Sequence, residues 1–160
     1  MATVNSNLSV YDSDQVPSGE NLSVALVLSE WNPQITESLY KGAFDTLRKH
    51  KVAENNISKI NVPGSFELIY GAKHAQSKGV DVVIAIGSVI QGETKHFDFV
   101  CQGVSQGIKD LNIQSKIPVI FCVLTDNTLQ QAIDRSGGQF GNKGIEAAVS
   151  ALKMAHLSKQ

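Results

Sequence analysis

Two kinds of apolar pattern alternate along the chain. Short blocks of apolar, largely β-branched residues cover 22–28 (LSVALVL), 82–86 (VVIAI) and 117–124 (IPVIFCVL), and read as buried strands. A further block, 57–62, alternates in character and reads as a short strand closed by Pro63-Gly64-Ser65. The 82–86 block breaks at Gly87, resumes briefly at Val89-Ile90 and breaks again at Gly92. Pro118, near the start of the last block, suggests a sheet edge or a strand entry.

Between the blocks, apolar positions recur at helical spacing. Ile35, Leu39, Ala43 and Leu47, with Tyr40 and Phe44 alongside, give one apolar face up to about His50. Asn32 is placed to cap that helix and Pro33 to fill its first position. A second helix opens at Phe66-Glu67 and runs to about Lys78, with Gly79 as its stop. A third begins around His96-Phe97. Residues 125–128 are rich in N-cap types and start a short helix ending at Arg135-Ser136. A glycine-rich junction, 137–142, leads into a last helix from 143 to about 157, which should bury Ile145, Ala148, Val149, Leu152 and Ala155.

Alternating strands and helices predict an α/β fold: a flavodoxin-like three-layer sandwich, with a four-stranded parallel sheet flanked by helices. Residues 1–20 are polar and read as an N-terminal arm, leaving 21–160 as a single domain. A sheet this small often completes its burial by association with copies of itself.

Composition narrows the function classes. Net charge is −1, and Arg48 and Arg135 are the only arginines, which argues against a nucleic-acid surface. No apolar run approaches membrane-spanning length. The N-terminal stretch carries Asp12, Asp14 and Glu20 rather than a basic start and an apolar core, so no secretory signal is expected. Cys101 and Cys122 lack metal-ligand spacing and read as reduced, mostly buried thiols of a cytoplasmic protein. There is no GxGxxG after the first strand, no Walker loop and no GxSxG elbow.

Open α/β sheets bind ligands beyond the carboxyl ends of their strands. Three such segments should converge: Trp31-Asn32, Gly64-Ser65-Phe66-Glu67, and 92–96. Trp31 can stack on a planar heterocycle, or it can simply anchor the following helix. Gly64-Ser65 can present N–H groups with Glu67 as acceptor, although a plain helix cap accounts for the same residues. The Gly92-Glu93-Thr94 turn offers backbone donors and a hydroxyl suited to an oxyanion. His96, in the first turn of its helix, is the best catalytic candidate. Asp98 does not share its helix face. His50, His74 and His156 lie in helix contexts and read as structural. Arg135, beside the glycine junction, can clamp an anion bidentately or make an ordinary surface ion pair. The residues alone thus reach a strand-end site with one histidine and an anion pocket.

Taken together and in order, Trp31-Asn32, Val62-Pro-Gly-Ser-Phe-Glu67, Gly87-x-Val-Ile-x-Gly-Glu-Thr-x-His-Phe-Asp98, Pro118-Val-Ile-Phe121 and Asp134-Arg-x-Gly-Gly-x-x-Gly-Asn-Lys-Gly144 resemble the lumazine synthase family from about residue 22 to about 157. That family condenses 5-amino-6-ribitylamino-uracil with 3,4-dihydroxy-2-butanone 4-phosphate, using neither metal nor organic cofactor. The resemblance implies that Trp31 stacks on the pyrimidine. Asn32, Gly64, Ser65, Phe66 and Glu67, with backbone around Val89 and Ile90, would hold the ribityl chain. Glu93 and Thr94 would meet the phosphate with Arg135 opposing them, and His96 would shuttle protons. Phe121 and Lys143 match positions contributed from an adjacent subunit or the pocket rim.

The resemblance further implies a homopentamer, either on its own or assembled with eleven others into an icosahedral shell of sixty subunits, and riboflavin synthase as a candidate partner. The junction 137–143 carries no insertion, as in shell-forming members. Glu30 stands where many members have arginine, Trp31 replaces the frequent phenylalanine, and Gln139 occupies a position often held by lysine. Two rivals share the fold class. A phospho-accepting receiver needs an acidic pair after the first strand and an aspartate after the third, and only Glu30 is present. A non-catalytic flavin or lumazine binder, or a shell protein, is opposed by the presence of both His96 and Arg135.

Overall fold

A computed structural model describes residues 7–160. Residues 1–6 of the polar arm lie outside the described residues. Four strands form one parallel sheet: β1 Val24–Ser29, β2 Ile57–Val62, β3 Val82–Ile90 and β4 Val119–Asp126, in the order β2-β1-β3-β4. Helices α1 Pro33–Lys49, α2 Leu68–Ser77, α3 His96–Gln114, α4 Leu129–Arg135 and α5 Lys143–Leu157 connect and cover them. The three-layer sandwich expected from the alternating pattern is the fold observed.

The pleat divides the core in two. Val24, Leu26 and Leu28 of β1, with Val82, Ile84 and Ile86 of β3, face Ile35, Leu39 and Leu47 of α1 and the alanines of α5. Ala25, Val27, Val83 and Ala85 point the other way, against Leu68 and Ala72 of α2 and Val104 and Ile108 of α3. Both central strands are buried on both faces, which explains their unbroken apolar blocks. β2 and β4 form the edges, and Pro118 does precede an edge strand.

Several local expectations need correction. β3 runs without interruption through Gly87, which pairs with Val123. A Cβ at Gly87 would lie 2.7 Å from Ser65 Oγ and 2.9 Å from Leu68 Cδ1, so this glycine marks a close approach rather than a break. Asn32 does occupy the N-cap of α1, with Pro33 following, but its side chain makes no cap bond there. In α5, Gly144, Ala147, Ala148, Ala151, Leu152 and Ala155 are buried, whereas Ile145 and Val149 are only half-buried. Small residues face inward because α5 packs tightly on α1: a Cβ at Gly144 would lie 1.9 Å from the Leu39 carbonyl oxygen. Gly79, at φ 75°, ends α2 as expected.

The described part of the arm lies on its own chain. Leu8 N donates to the Phe140 carbonyl at 2.7 Å, and Asn142 N donates to Ser9 Oγ at 2.9 Å. Tyr11 Oη stands 3.1 Å from His50 Nε2. The glycine junction forms a small antiparallel ladder, β5 Ser136–Gly138 with β6 Gly141–Asn142. Asn142 then caps α5 through Gly144 N at 2.8 Å.

Candidate active site

In this strand order β1 and β3 are neighbours, and the connections leaving them diverge to opposite sides of the sheet. The carboxyl ends of these two strands therefore frame a crevice. A cleft of about 720 Å³ opens there. Trp31 and Asn32 enter it from the end of β1, Gly64 to Glu67 from the end of β2, Ser88, Val89 and Ile90 from β3, and His96 from the start of α3. The first two strand-end segments thus converge on the cleft as expected, and of the third, 92–96, only His96 reaches it.

Trp31 is 71% exposed. A side chain so uncovered is not an anchor for α1, and its indole is free to meet a ligand. Asn32 adopts the left-handed conformation at φ 56°, which directs its amide across the sheet to donate to the Ser88 carbonyl at 3.1 Å. Ser65 and Ser88 line the cleft, and the Oγ atoms of Ser29, Ser65 and Ser88 are buried with no hydrogen-bond partner among the described residues. Buried hydroxyls in that condition are suited to a polar ligand. Glu67 occupies the N-cap of α2 without a side-chain cap bond, so the capping account of this segment does not hold. Phe66 projects 53% exposed, with its ring over Gly103 of α3.

His96 is exposed at the first position of α3, and its backbone N–H donates to Thr94 Oγ1 at 3.4 Å. Glu93 and Thr94 sit in the exposed loop just before it and do not line the cleft. Phe99 and Val100 do line it, although the sequence reading did not single them out. Their signal was available, since positions three and four residues beyond His96 share its helix face.

Three further candidates stand apart from this cleft. Arg135 ends α4, where Nη1 donates to the Gln131 carbonyl at 3.1 Å, and the guanidinium lies 5.2 Å from the Phe140 ring centre. Nη1 also faces Asp126 Oδ1 at 3.8 Å, while the adjacent Asp134 accepts from Gln130 Nε2 at 2.9 Å. Burial pushes the Asp126 carboxyl up from its ordinary range, while the Arg135 guanidinium pulls it back. Lys143 pairs with Glu146 at 2.6 Å. Phe121 is partly buried on edge strand β4.

Cys122 is fully buried, and burial pushes its thiol up to about 12. Cys101 is only half-buried, so one of the two thiols is less enclosed than expected. Among the described residues, no three His, Cys, Asp or Glu side chains group to hold a metal ion. No helix among them is long and apolar enough to cross a membrane.

Comparison with known proteins bears on what this cleft does. The family described as 6,7-dimethyl-8-ribityllumazine synthase matches residues 21–159. The chain is similar to the 6,7-dimethyl-8-ribityllumazine synthase of Flavobacterium johnsoniae, at 62% identity over 161 residues, covering 100% of this chain and 85% of that protein. The protein of the same name from Christiangramia forsetii is 58% identical, over 99% of this chain and 96% of its own length. That from Porphyromonas gingivalis is 54% identical, over 99% of each.

Proposed function

The chain belongs to the 6,7-dimethyl-8-ribityllumazine synthase family, and from that premise we propose how its cleft carries out the reaction. The enzyme is a transferase of riboflavin biosynthesis. It condenses 5-amino-6-(D-ribitylamino)uracil with 3,4-dihydroxy-2-butanone 4-phosphate, giving 6,7-dimethyl-8-ribityllumazine, phosphate and water.

Trp31 stacks on the pyrimidine. Asn32, Ser65, Phe66 and Glu67, with the backbone of Gly64, Val89 and Ile90, hold the ribityl chain. Amine attack on the ketone, imine formation and loss of phosphate each move protons, and His96 accepts and returns them at the cleft edge. Holding both substrates side by side supplies much of the remaining acceleration. The phosphate lies against the loop of Glu93 and Thr94, opposed by Arg135, whose charge stabilises the leaving anion. The observation that carries this reading is the convergence of Trp31, Ser65, Glu67 and His96, drawn from three separate loops, on one cleft.

Phe121, Lys143 and Arg135 complete the cleft of a neighbouring copy in a homopentamer, and pentamers assemble further into an icosahedral shell. Their position outside this chain's own cleft supports that arrangement. So do the exposed apolar residues Leu129 and Ile133 on α4 and Met154 and Leu157 on α5. The cytoplasm, where Cys101 and Cys122 stay reduced, is the proposed location, and riboflavin synthase, the consumer of the lumazine, a proposed partner.

A mixing experiment tests the shared site. His96→Ala and Arg135→Ala chains, each poorly active at low phosphate substrate, are co-expressed and purified as mixed oligomers. Recovery of activity supports a site built from two chains. Activity no higher than the average of the two variants places every residue in one chain.

A further inference from the structure

Asp126 ends β4 with a carboxylate in a strand that is apolar but for Thr125, and the residue is 6% exposed. Its Oδ2 has no hydrogen-bond partner among the described residues, and its Oδ1 stands 3.8 Å from Arg135 Nη1. That separation is too long for a hydrogen bond, so the two groups interact through charge. The guanidinium is meanwhile fixed by contacts that do not involve the carboxylate: the Gln131 carbonyl at 3.1 Å and the Phe140 ring at 5.2 Å. A strut for Arg135 would be bonded to it, and Asp126 is not. The Asp126 backbone carbonyl accepts from Gln91 N at 2.9 Å, so this residue also roots the loop that carries Glu93 and Thr94.

We propose that Asp126 is a positioning residue acting through Arg135, its buried negative charge tempering the guanidinium so that phosphate is held for reaction and then released. This rests on the reading of Arg135 as the phosphate ligand. A guanidinium with no counter-charge beside it retains a dianion strongly. The reaction liberates inorganic phosphate, so an over-tight anion site delays turnover. A buried carboxylate near the cation lowers the local positive potential more than a solvated one, because less water screens it.

The test is product inhibition by inorganic phosphate, with KM and kcat measured for both substrates. Asp126→Asn removes the charge at nearly constant shape, and Asp126→Thr removes it with a smaller side chain in case the first variant folds poorly. Both should tighten phosphate inhibition by up to about tenfold, the order expected for one unit charge acting over several ångströms at an intermediate dielectric. KM for the phosphate substrate should fall alongside, and KM for the pyrimidine should not change. In the Arg135→Ala background, Asp126→Asn should change inhibition less than it does in the wild-type background, because the guanidinium it positions is gone. Unchanged or weaker inhibition in both charge-removing variants overturns the proposal for Asp126 while leaving Arg135 in its role. If Arg135→Ala alone leaves phosphate inhibition intact, the underlying assignment of Arg135 fails, and the proposal with it.

Discussion

The Asn32 side-chain amide donates to the backbone carbonyl of Ser88 at 3.1 Å, tying the residue that opens α1 to the strand beside it at the mouth of the cleft. Asn32 also sits at φ 56°, a conformation that asparagine and glycine tolerate and alanine resists. Two substitutions separate these roles. Asn32→Ala loses both the bond and the backbone preference, and should lower stability by roughly 1–2 kcal/mol in denaturant unfolding. Asn32→Gly should recover part of that stability, yet leave KM for the pyrimidine substrate raised. Equal KM values for Asn32→Gly and wild type would remove Asn32 from the binding site.

Gly87→Ala is predicted to be among the more damaging single-methyl changes in the sheet. The added carbon meets Ser65 Oγ at 2.7 Å and Leu68 Cδ1 at 2.9 Å, so these two buried side chains must give way. Overpacking of this kind costs roughly 1–3 kcal/mol, and the displaced Ser65 should also weaken pyrimidine binding. Thermal unfolding and substrate titration measure the two effects separately.

Asp81 predicts an acid-sensitive element at the start of β3. Burial raises its carboxyl, but the Lys159 ammonium and the two donors of Ser23 outweigh that effect and hold it below the ordinary range. A carboxyl lowered in the folded state contributes stability in full above its unfolded value and loses it as pH falls through the folded value. Asp81→Asn should therefore reduce stability at neutral pH and narrow the gap to wild type in strong acid. A constant gap across pH would contradict this.

The two thiols should differ in reactivity. Cys122, fully buried and pushed up to about 12, should resist a thiol reagent until the chain unfolds. Cys101, half-buried and raised by burial and by the charge of Asp98, should react slowly in the folded state. Stopped labelling followed by peptide mass mapping reads out which cysteine reacts first.

Much of this architecture is legible in the chain because its signals are local. Unbroken apolar blocks mark β1 and β3 as doubly covered, and the caps at Thr128 and Asn142 stand where cap-forming residues occur. What failed locally depends on distant partners. Gly87 resembles a strand break in one dimension and is required by Ser65 and Leu68 in three. Asn32 has the composition of a cap but spends its amide on Ser88, which no local pattern reveals. In α5 the spacing alone does not say which apolar stripe turns inward. The closeness of α1 selects the stripe of alanines over Ile145 and Val149. The candidate cleft follows the same rule. That His96, Trp31 and Glu67 line it could be expected from their strand-end positions, whereas Ser88, which also lines it, and Asp126, outside it, are picked out only by burial without a bonding partner.

The central claim, that His96 moves protons in a cleft where Arg135 governs the phosphate, is tested most directly by steady-state formation of the lumazine product, followed by absorbance. Wild type, His96→Ala and Arg135→Ala are compared at varied concentrations of each substrate. The account predicts that His96→Ala lowers kcat by about 10²-fold or more, as loss of a general acid–base does, with KM values little changed. Arg135→Ala should chiefly raise KM for the phosphate substrate. Wild-type kcat and KM values in both variants would contradict the account.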